Sequence, residues 1–214
     1  MEPTPIQRNI IQEEGNTVVL AMPGSGKTFV LSEKIRRILE SDVLKDYQGV
    51  IAISYTRKAS GHLKRKTLQN GTWEKNSFFG TIDSFCLTQI ILPFGHYVIG
   101  YPKEEVVPIT ENDLEKDKMV DFEWINKIHP DYEEINEAVW ENLYELFKEG
   151  KVLVSSLELV ALHIIKNCPA CRAHLKARFK YVFIDEFQDA DTYTNGIFLE
   201  LIGLGLIGCL LYTS

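Results

Sequence analysis

The stretch that most constrains this chain is Ala21-Met22-Pro23-Gly24-Ser25-Gly26-Lys27-Thr28. It follows a short apolar run, Thr17-Val18-Val19-Leu20, and precedes a segment, 29–39, with apolar residues at Ile35, Ile38 and Leu39. The first neighbour has the length and β-branched content of a strand, the second the spacing of a helix. Glycines between a strand and a helix let successive backbone N–H groups face one point, where the helix adds its positive end. Lys27 brings a full charge to that point, and the Thr28 hydroxyl can hold a magnesium ion. The plainer alternative is a glycine-rich turn with an incidental lysine. The coincidence of strand, loop, Gly-Lys-Thr and helix favours a nucleoside-triphosphate site over 21–28, although Ala21 stands where the strict pattern begins with glycine.

The same grammar repeats downstream. Gly49-Val50-Ile51-Ala52-Ile53-Ser54 is almost wholly apolar, as in a strand covered on both faces. Tyr55-Thr56-Arg57-Lys58-Ala59 turns from it into a basic helix, and Asn70-Gly71 marks a turn. Phe78-Phe79-Gly80 reads as a third strand, and Thr81 or Asp83 can cap a helix over 84–91 that ends near Pro93. Ahead of these, Thr4-Pro5-Ile6-Gln7 carries the cap and first-turn proline of a short helix, in which position alone makes Gln7 a solvated side chain. Alternating strands and helices predict a parallel sheet with crossover helices.

That alternation stops near Phe94. Segments 108–149, 153–165 and 170–178 read as helices, with Ile135, Val139, Leu143 and Leu146 at helical spacing. Tyr181-Val182-Phe183-Ile184 then resumes as a buried strand. The expected organisation is a discontinuous α/β domain over 1–94 and 178–202, an inserted all-helical subdomain over 95–177, and a non-native or disordered tail over 203–214. Glycines disfavour a helix in that tail, its apolar stretch is too short to cross a membrane, and residues 209–214 resemble a translated transposase-end adapter.

Charge is distributed in keeping with this division. The chain of 214 residues has a net charge of −7, yet residues 95–165 alone hold 16 acidic against 6 basic side chains, so the acidity belongs to the insertion. A basic cluster, Arg57, Lys58, Lys64, Arg65 and Lys66, precedes it. The four cysteines form no extracellular framework, and no secretion signal is visible at the start, which together point to a reducing cytoplasm. Cys168-Pro169-Ala170-Cys171 has the spacing of half a zinc site, with His163 and His174 nearby, but a second cysteine pair is missing, so two cysteines at a helix start is the simpler reading. Trp73, Trp124 and Trp140 read as packing residues.

The second chemical signal is Asp185-Glu186-Phe187-Gln188-Asp189, where the apolar strand stops. Parallel sheets bind ligands at that end. One carboxylate can position magnesium and the next can deprotonate an attacking water. Paired with the loop at Lys27, these acids supply the other half of one reaction.

With Ala-x-x-Gly-x-Gly-Lys-Thr upstream and Asp-Glu-Phe-Gln-Asp downstream, the chain resembles the superfamily 1 DNA helicases of the UvrD/Rep/PcrA type over about residues 4–200. The resemblance implies a P-loop NTPase (RecA-like) fold, ATP and Mg2+ as cofactors, and single-stranded DNA as partner. It makes Gln7 the glutamine that reads adenine and adds Gln188 to the nucleotide-binding residues 21–28. Lys27, Asp185 and Glu186 become catalytic, with Thr28 and Asp185 on Mg2+. Ser54-Tyr55-Thr56-Arg57-Lys58-Ala59 and Gly80-Thr81-Ile82-Asp83-Ser84-Phe85-Cys86 resemble the family's DNA-contacting motifs, which makes Tyr55, Thr56, Arg57, Lys58, Thr81 and Ser84 DNA-binding. Tyr55, just beyond a strand end, either offers a ring for base stacking, which is worth ~1–3 kcal/mol and is blind to sequence, or packs as a core aromatic.

Three departures bear on these roles. Asp83 stands where the family has histidine, and a carboxylate repels phosphate. Arg57 replaces asparagine, which adds charge. Phe29 follows Thr28 where the family often has arginine. The family's next motif, glycine-aspartate-x-x-glutamine-serine, does not occur, and the second motor domain that supplies arginines to the transferring phosphoryl group is missing from this chain. The expected function is therefore the N-terminal ATP-binding part of a 3′–5′ DNA helicase or translocase, near-inactive alone. The alternatives are a non-motor ATP-binding switch or partner-docking module, and an inactive truncated fragment. No membrane association is expected.

Overall fold

The computed structural model describes residues 2–22, 24–114 and 130–213; Pro23 and Trp124 lie outside the described residues. Its strands are β1 (Thr17–Ala21), β2 (Gly49–Ile53), β3 (Phe78–Gly80), β4 (Val107–Ile109), β5 (Lys151–Leu153), β6 (Phe179–Ile184) and β7 (Ile207–Thr213). Its α-helices are α1 (Pro5–Gln12), α2 (Lys27–Glu40), α3 (Arg57–Thr67), α4 (Ile82–Phe85), α5 (Leu92–Val98), α6 (Glu137–Lys148), α7 (Leu157–Asn167), α8 (Pro169–Arg178) and α9 (Thr192–Gly203). The chain divides into two units, one of residues 1–82, 173–190 and 201–214, the other of residues 83–172 and 191–200.

The first unit is an all-parallel five-stranded sheet in the order β1-β7-β6-β2-β3. The α/β fold with a parallel sheet is as the sequence predicts. β2 is buried along its whole length, which is why its sequence runs apolar without alternation. One sheet face, through Val19, Val50, Ala52, Tyr181, Phe183 and Cys209, packs on the apolar stripe of α2 and on Leu63 of α3. In α2 that stripe is Leu31, Ile35 and Leu39, at helical spacing.

None of the residues of α1 is fully buried, and Ile10 packs against the core from its edge, so polar contacts share in holding the helix. Lys34 of α2 is buried, and its Nζ donates to the carbonyl oxygens of Ile10 at 2.9 Å and Glu13 at 2.6 Å. Arg37 Nη1 donates to Ile11 O at 3.4 Å. Two cations on the last carbonyls of α1 satisfy groups that the helix leaves open and match the negative end of its dipole.

The second unit centres on α7, which is buried around most of its circumference. His163 of α7 is bonded at Nδ1 by the Tyr132 hydroxyl and at Nε2 by the Tyr144 hydroxyl, each at 2.6 Å, and Trp140 lies against its ring at 4.2 Å. Burial holds the His163 pKa below the usual imidazole value. Trp73, in contrast, is exposed. It lies in the loop after the Gln69–Gly71 turn, so the expected packing role is not met there.

Four further expectations need correction. The insertion is not all-helical, because Val107–Ile109 and Lys151–Leu153 pair as a two-stranded parallel sheet; runs of three residues are too short to show a period. Its boundaries differ from 95–177: it begins at residue 83 and also takes residues 191–200. The helix expected to stop near Pro93 continues to Val98, through a π-helical stretch, Cys86–Ile91, in which Leu92 N–H bonds Leu87 O. That wide turn restarts the α-helix so that Pro93 falls in a first turn, where no donor is required. Within the tail expected over 203–214, residues 207–213 are not disordered. Ile207–Thr213 fills the slot between β1 and β6, paired in parallel with both. That slot asks only for an apolar run that can satisfy two open strand edges, and Cys209, Leu210 and Leu211 meet that demand whatever their origin.

Leu211 is buried in the core cluster, so Leu211→Ala is expected to cost about 2–5 kcal/mol in a urea unfolding experiment. An unchanged midpoint would mean that the segment does not belong to the folded sheet.

Candidate nucleotide-binding and catalytic site

Parallel pairing sends every strand of the first unit to the same edge, where the residues after Ala21, Ile53, Gly80 and Ile184 leave the sheet. At the first exit the chain curls through Gly24 (φ 77°) and Gly26 (φ 86°) into α2. Gly26 is the N-cap of α2 in the left-handed region, a conformation that glycine adopts without steric cost. Lys27 and Thr28 therefore stand in the first turn, at the positive end of the helix.

At the fourth exit, Asp185 N–H still donates to Ile53 O at 3.0 Å, which keeps its backbone in line with the ladder. Glu186 then turns sharply, with φ 57° and ψ 44°. A left-handed non-glycine residue costs ~1–3 kcal/mol and persists only where its surroundings fix it. The turn brings Glu186 Oε1 to 3.4 Å from Lys27 Nζ, while Gln188 Nε2 donates to Glu186 Oε2 at 2.7 Å.

Asp185 is buried, and its Oδ1 has no hydrogen-bond partner. Burial raises its pKa above the ordinary carboxyl value; the Glu186 charge adds to this, and Lys27 opposes it. A desolvated, unpartnered acceptor beside a glycine loop is the arrangement a cation requires. Magnesium keeps several waters and takes few protein ligands, so Asp185 with the Thr28 hydroxyl is a sufficient donor set.

A cavity of ≈ 430 Å³ lies between the loop and Glu186. Gly24, Gly26, Lys27 and Thr28 form one wall, Glu186 another, and Phe29 with His62 and Lys66 a third. The sequence did not single out His62 and Lys66 for this place. Their i, i+4 spacing puts them on one face of α3, but only the packing of α3 against α2 shows where that face looks.

Gln7 meets the loop. Its Nε2 donates to Ser25 O at 3.1 Å, and its Oε1 accepts from Thr4 N–H at 3.0 Å in a capping box. It is thus both a helix-cap residue and a neighbour of the phosphate loop. Ala21 closes β1, and Met22 is exposed.

The expected DNA contacts sit at the two middle exits. Ser54 N–H bonds Gly80 O at 3.1 Å, so Tyr55 and Thr81 leave adjacent strands together. Tyr55, Arg57 and Lys58 are exposed. Thr56 caps α3 by accepting from Ala59 N–H at 3.1 Å, and Lys64 is paired with Glu74 at 2.6 Å. Ser84 lies in α4, in the second unit, where its carbonyl accepts from Thr88 Oγ1. Also there, the Glu158 carboxyl is pushed up to about 8 by burial and by the charges of Asp83 and Asp191, and it is hydrogen-bonded to Asp83. Asp83 therefore has a carboxyl partner. Cys168 and Cys171 are buried at the start of α8, with Cys171 N–H on Cys168 Sγ. Among the described residues, no three His, Cys, Asp or Glu side chains are grouped to hold a metal.

The sequence matches the model of the UvrD/REP helicase N-terminal domain over residues 4–98 and 102–205. The chain belongs to this family. It is 26% identical to the Gabija protein GajB of Bacillus cereus, over 91% of this chain and 36% of that protein. It is also 26% identical to DNA helicase II of Escherichia coli, over 82% of this chain and 28% of that protein. A probable DNA helicase II homolog of Mycoplasma capricolum is similar at 26%, over 86% of this chain and 29% of that protein. The chain thus spans about a third of the length of these relatives. The family match agrees with the parallel sheet and with the loop at its edge. No helix among the described residues is long and apolar enough to cross a membrane.

Because the Asp185 pKa is raised on folding, its ionisation opposes the folded state. The stability held below the unfolded pKa is lost as pH rises through the folded value. Asp185→Asn is therefore expected to raise the melting temperature of the nucleotide-free chain at pH 7, with the gain vanishing below about pH 4. Thermal melts across that range check it, and a gain that persists in acid would contradict it.

Proposed function

We propose that this chain is the ATP-binding motor half of a DNA helicase or translocase that moves 3′ to 5′ on single-stranded DNA. The observation that carries the reading is the meeting of Lys27 and Glu186 at 3.4 Å across the mouth of a glycine loop, next to a buried Asp185 without a partner for Oδ1. The family match and the relatives named as helicases support it.

Each residue has a task in this reading. The loop N–H groups and Lys27 bind the phosphates of ATP. Thr28 and Asp185 hold a magnesium ion, which, when bound, neutralises charge on the phosphates. Lys27 exchanges Glu186 for phosphate when nucleotide enters, and that exchange frees the Glu186 carboxylate to take a proton from water. Gln188 keeps Glu186 oriented through its amide. Gln7, whose amide already lies against Ser25 O, reads the base at the price of its present hydrogen bonds. Phe29 adds an apolar surface where the family often has a cation.

Tyr55 and Thr81 leave neighbouring strands, and Arg57 and Lys58 stand in the first turn of α3, so one strand of nucleic acid can run along that edge by stacking and phosphate contact. Charge on the transferring phosphoryl group is completed by arginines of a second motor domain, each worth ~10³–10⁵ in rate.

Two measurements test the proposal. ATP·Mg2+ at 100 times its dissociation constant is expected to stabilise the chain by about 2.7 kcal/mol. Lys27→Ala should remove that gain and Glu186→Gln should keep it. A wild-type chain with no ATP-dependent gain would refute the nucleotide reading. Single strands of unrelated sequence should bind alike and more weakly as salt is raised, each neutralised phosphate adding about 0.7 to the logarithmic salt slope. A strong sequence preference would count against a motor track.

A further inference from the structure

We propose that His62 and Lys66 of α3 engage the terminal phosphate of the bound nucleotide, so that the site distinguishes a nucleoside triphosphate from a diphosphate. The inference rests on the reading of 21–28 as the nucleotide site, and it assigns a role to two residues outside the family motifs quoted above.

Four observations carry it. Both side chains line the cavity that Lys27, Thr28 and Glu186 also line. They are four residues apart, on one face of α3, while Ser60, Leu63 and Thr67 form its buried face. Among the described residues neither has a hydrogen bond or ion pair, although Lys64 of the same helix is held by Glu74. A half-buried lysine that lines a cavity and has no ion-pair partner of its own is a cation awaiting an anion. The fourth observation is the charge of the pocket itself. Lys27 faces Glu186, Asp185 adds a second carboxyl, and Phe29 contributes no charge, so loop and strand end alone are poorly matched to a polyphosphate.

Location selects the phosphate. α3 follows β2, which is the sheet neighbour of β6, and its His62 and Lys66 line the same cavity as Glu186. Gln7 touches the loop at Ser25 O and does not line this cavity. The end of the nucleotide nearest His62 and Lys66 is therefore the one nearest the hydrolytic carboxylate, which is the last phosphate. A diphosphate ends short of it. His62 offers a ring N–H and Lys66 an ammonium group, and hydrogen bonds between charged partners are the strong class.

The test is calorimetric titration of the 214-residue chain with ADP·Mg2+ and with a non-hydrolysable ATP analogue plus Mg2+. Wild type, His62→Ala, Lys66→Gln, Lys66→Arg and Lys27→Ala are compared, with melting curves to confirm folding. Lys66→Gln and His62→Ala are each expected to weaken the triphosphate analogue about tenfold while ADP changes less than about twofold. Lys66→Arg should restore most of the loss, and Lys27→Ala should weaken both ligands. If Lys66→Gln and His62→Ala leave the ratio of the two affinities unchanged while Lys27→Ala abolishes binding, the nucleotide reading stands and the role of α3 is overturned. If wild type binds neither ligand, both are overturned. Should Lys66→Gln fail to fold, His62→Ala and Lys66→Arg decide: an unchanged ratio in His62→Ala again overturns the inference.

Discussion

The first unit depends on one geometric constraint. In a parallel sheet every strand ends at the same edge, so whatever follows β1 and whatever follows β6 must share that space. Here one is a lysine in the first turn of a helix and the other a pair of carboxylates. Their opposite charge lets them meet without repulsion, and the left-handed turn at Glu186 brings them within 3.4 Å. Asp185 is left behind that turn, buried and unpartnered at one oxygen. The fold thus concentrates its electrostatic cost at the spot where a phosphate and its metal ion would relieve it.

The surroundings of the loop follow the same economy of polar contacts. Lys34, buried in α2, gives up hydration, and its pKa falls below the usual lysine value through that burial. In return it holds the end of α1, of which only Ile10 reaches the core. With α1 fixed, its capping box holds Gln7 so that the same amide reaches Ser25 O. A helix without a fully buried residue is in this way tied to the phosphate loop through Gln7 and to α2 through its last carbonyls.

The sequence made β1, β2, β3 and β6 legible because each is an apolar run closed by a turn signal or a charged motif. It hid β4 and β5, which have three residues each, and β7, whose glycine and lack of alternation suit a strand only once β1 and β6 are seen to leave a slot. The π-helical stretch before Pro93 was equally invisible, since proline by itself signals an end. At the site, Gly24, Gly26, Lys27, Asp185 and Glu186 were readable because backbone conformation and charge act through the chain order itself. His62 and Lys66 were not, because a basic helix looks the same in sequence whether its cations face solvent or a pocket. Lys64 and Lys66 lie two residues apart in one run, and packing gives one to Glu74 and the other to the cavity.

The strength of the Lys27–Glu186 pair decides whether it helps or hinders the site. A fully buried pair would resist separation by about 3–5 kcal/mol and hold the loop closed to phosphate. This pair is asymmetric, with the lysine side chain 10% exposed and the glutamate 36% exposed. Water reaches the carboxylate, so the attraction belongs near the weak end of the range, at roughly 1 kcal/mol or less. A phosphate that brings more charge to Lys27 than one half-solvated carboxylate can therefore take the lysine. Glu186 loses little on release, because Gln188 still holds its other oxygen at 2.7 Å. The exposure of Glu186 is thus what allows one residue to keep Lys27 in place before binding and to be free for proton transfer after it.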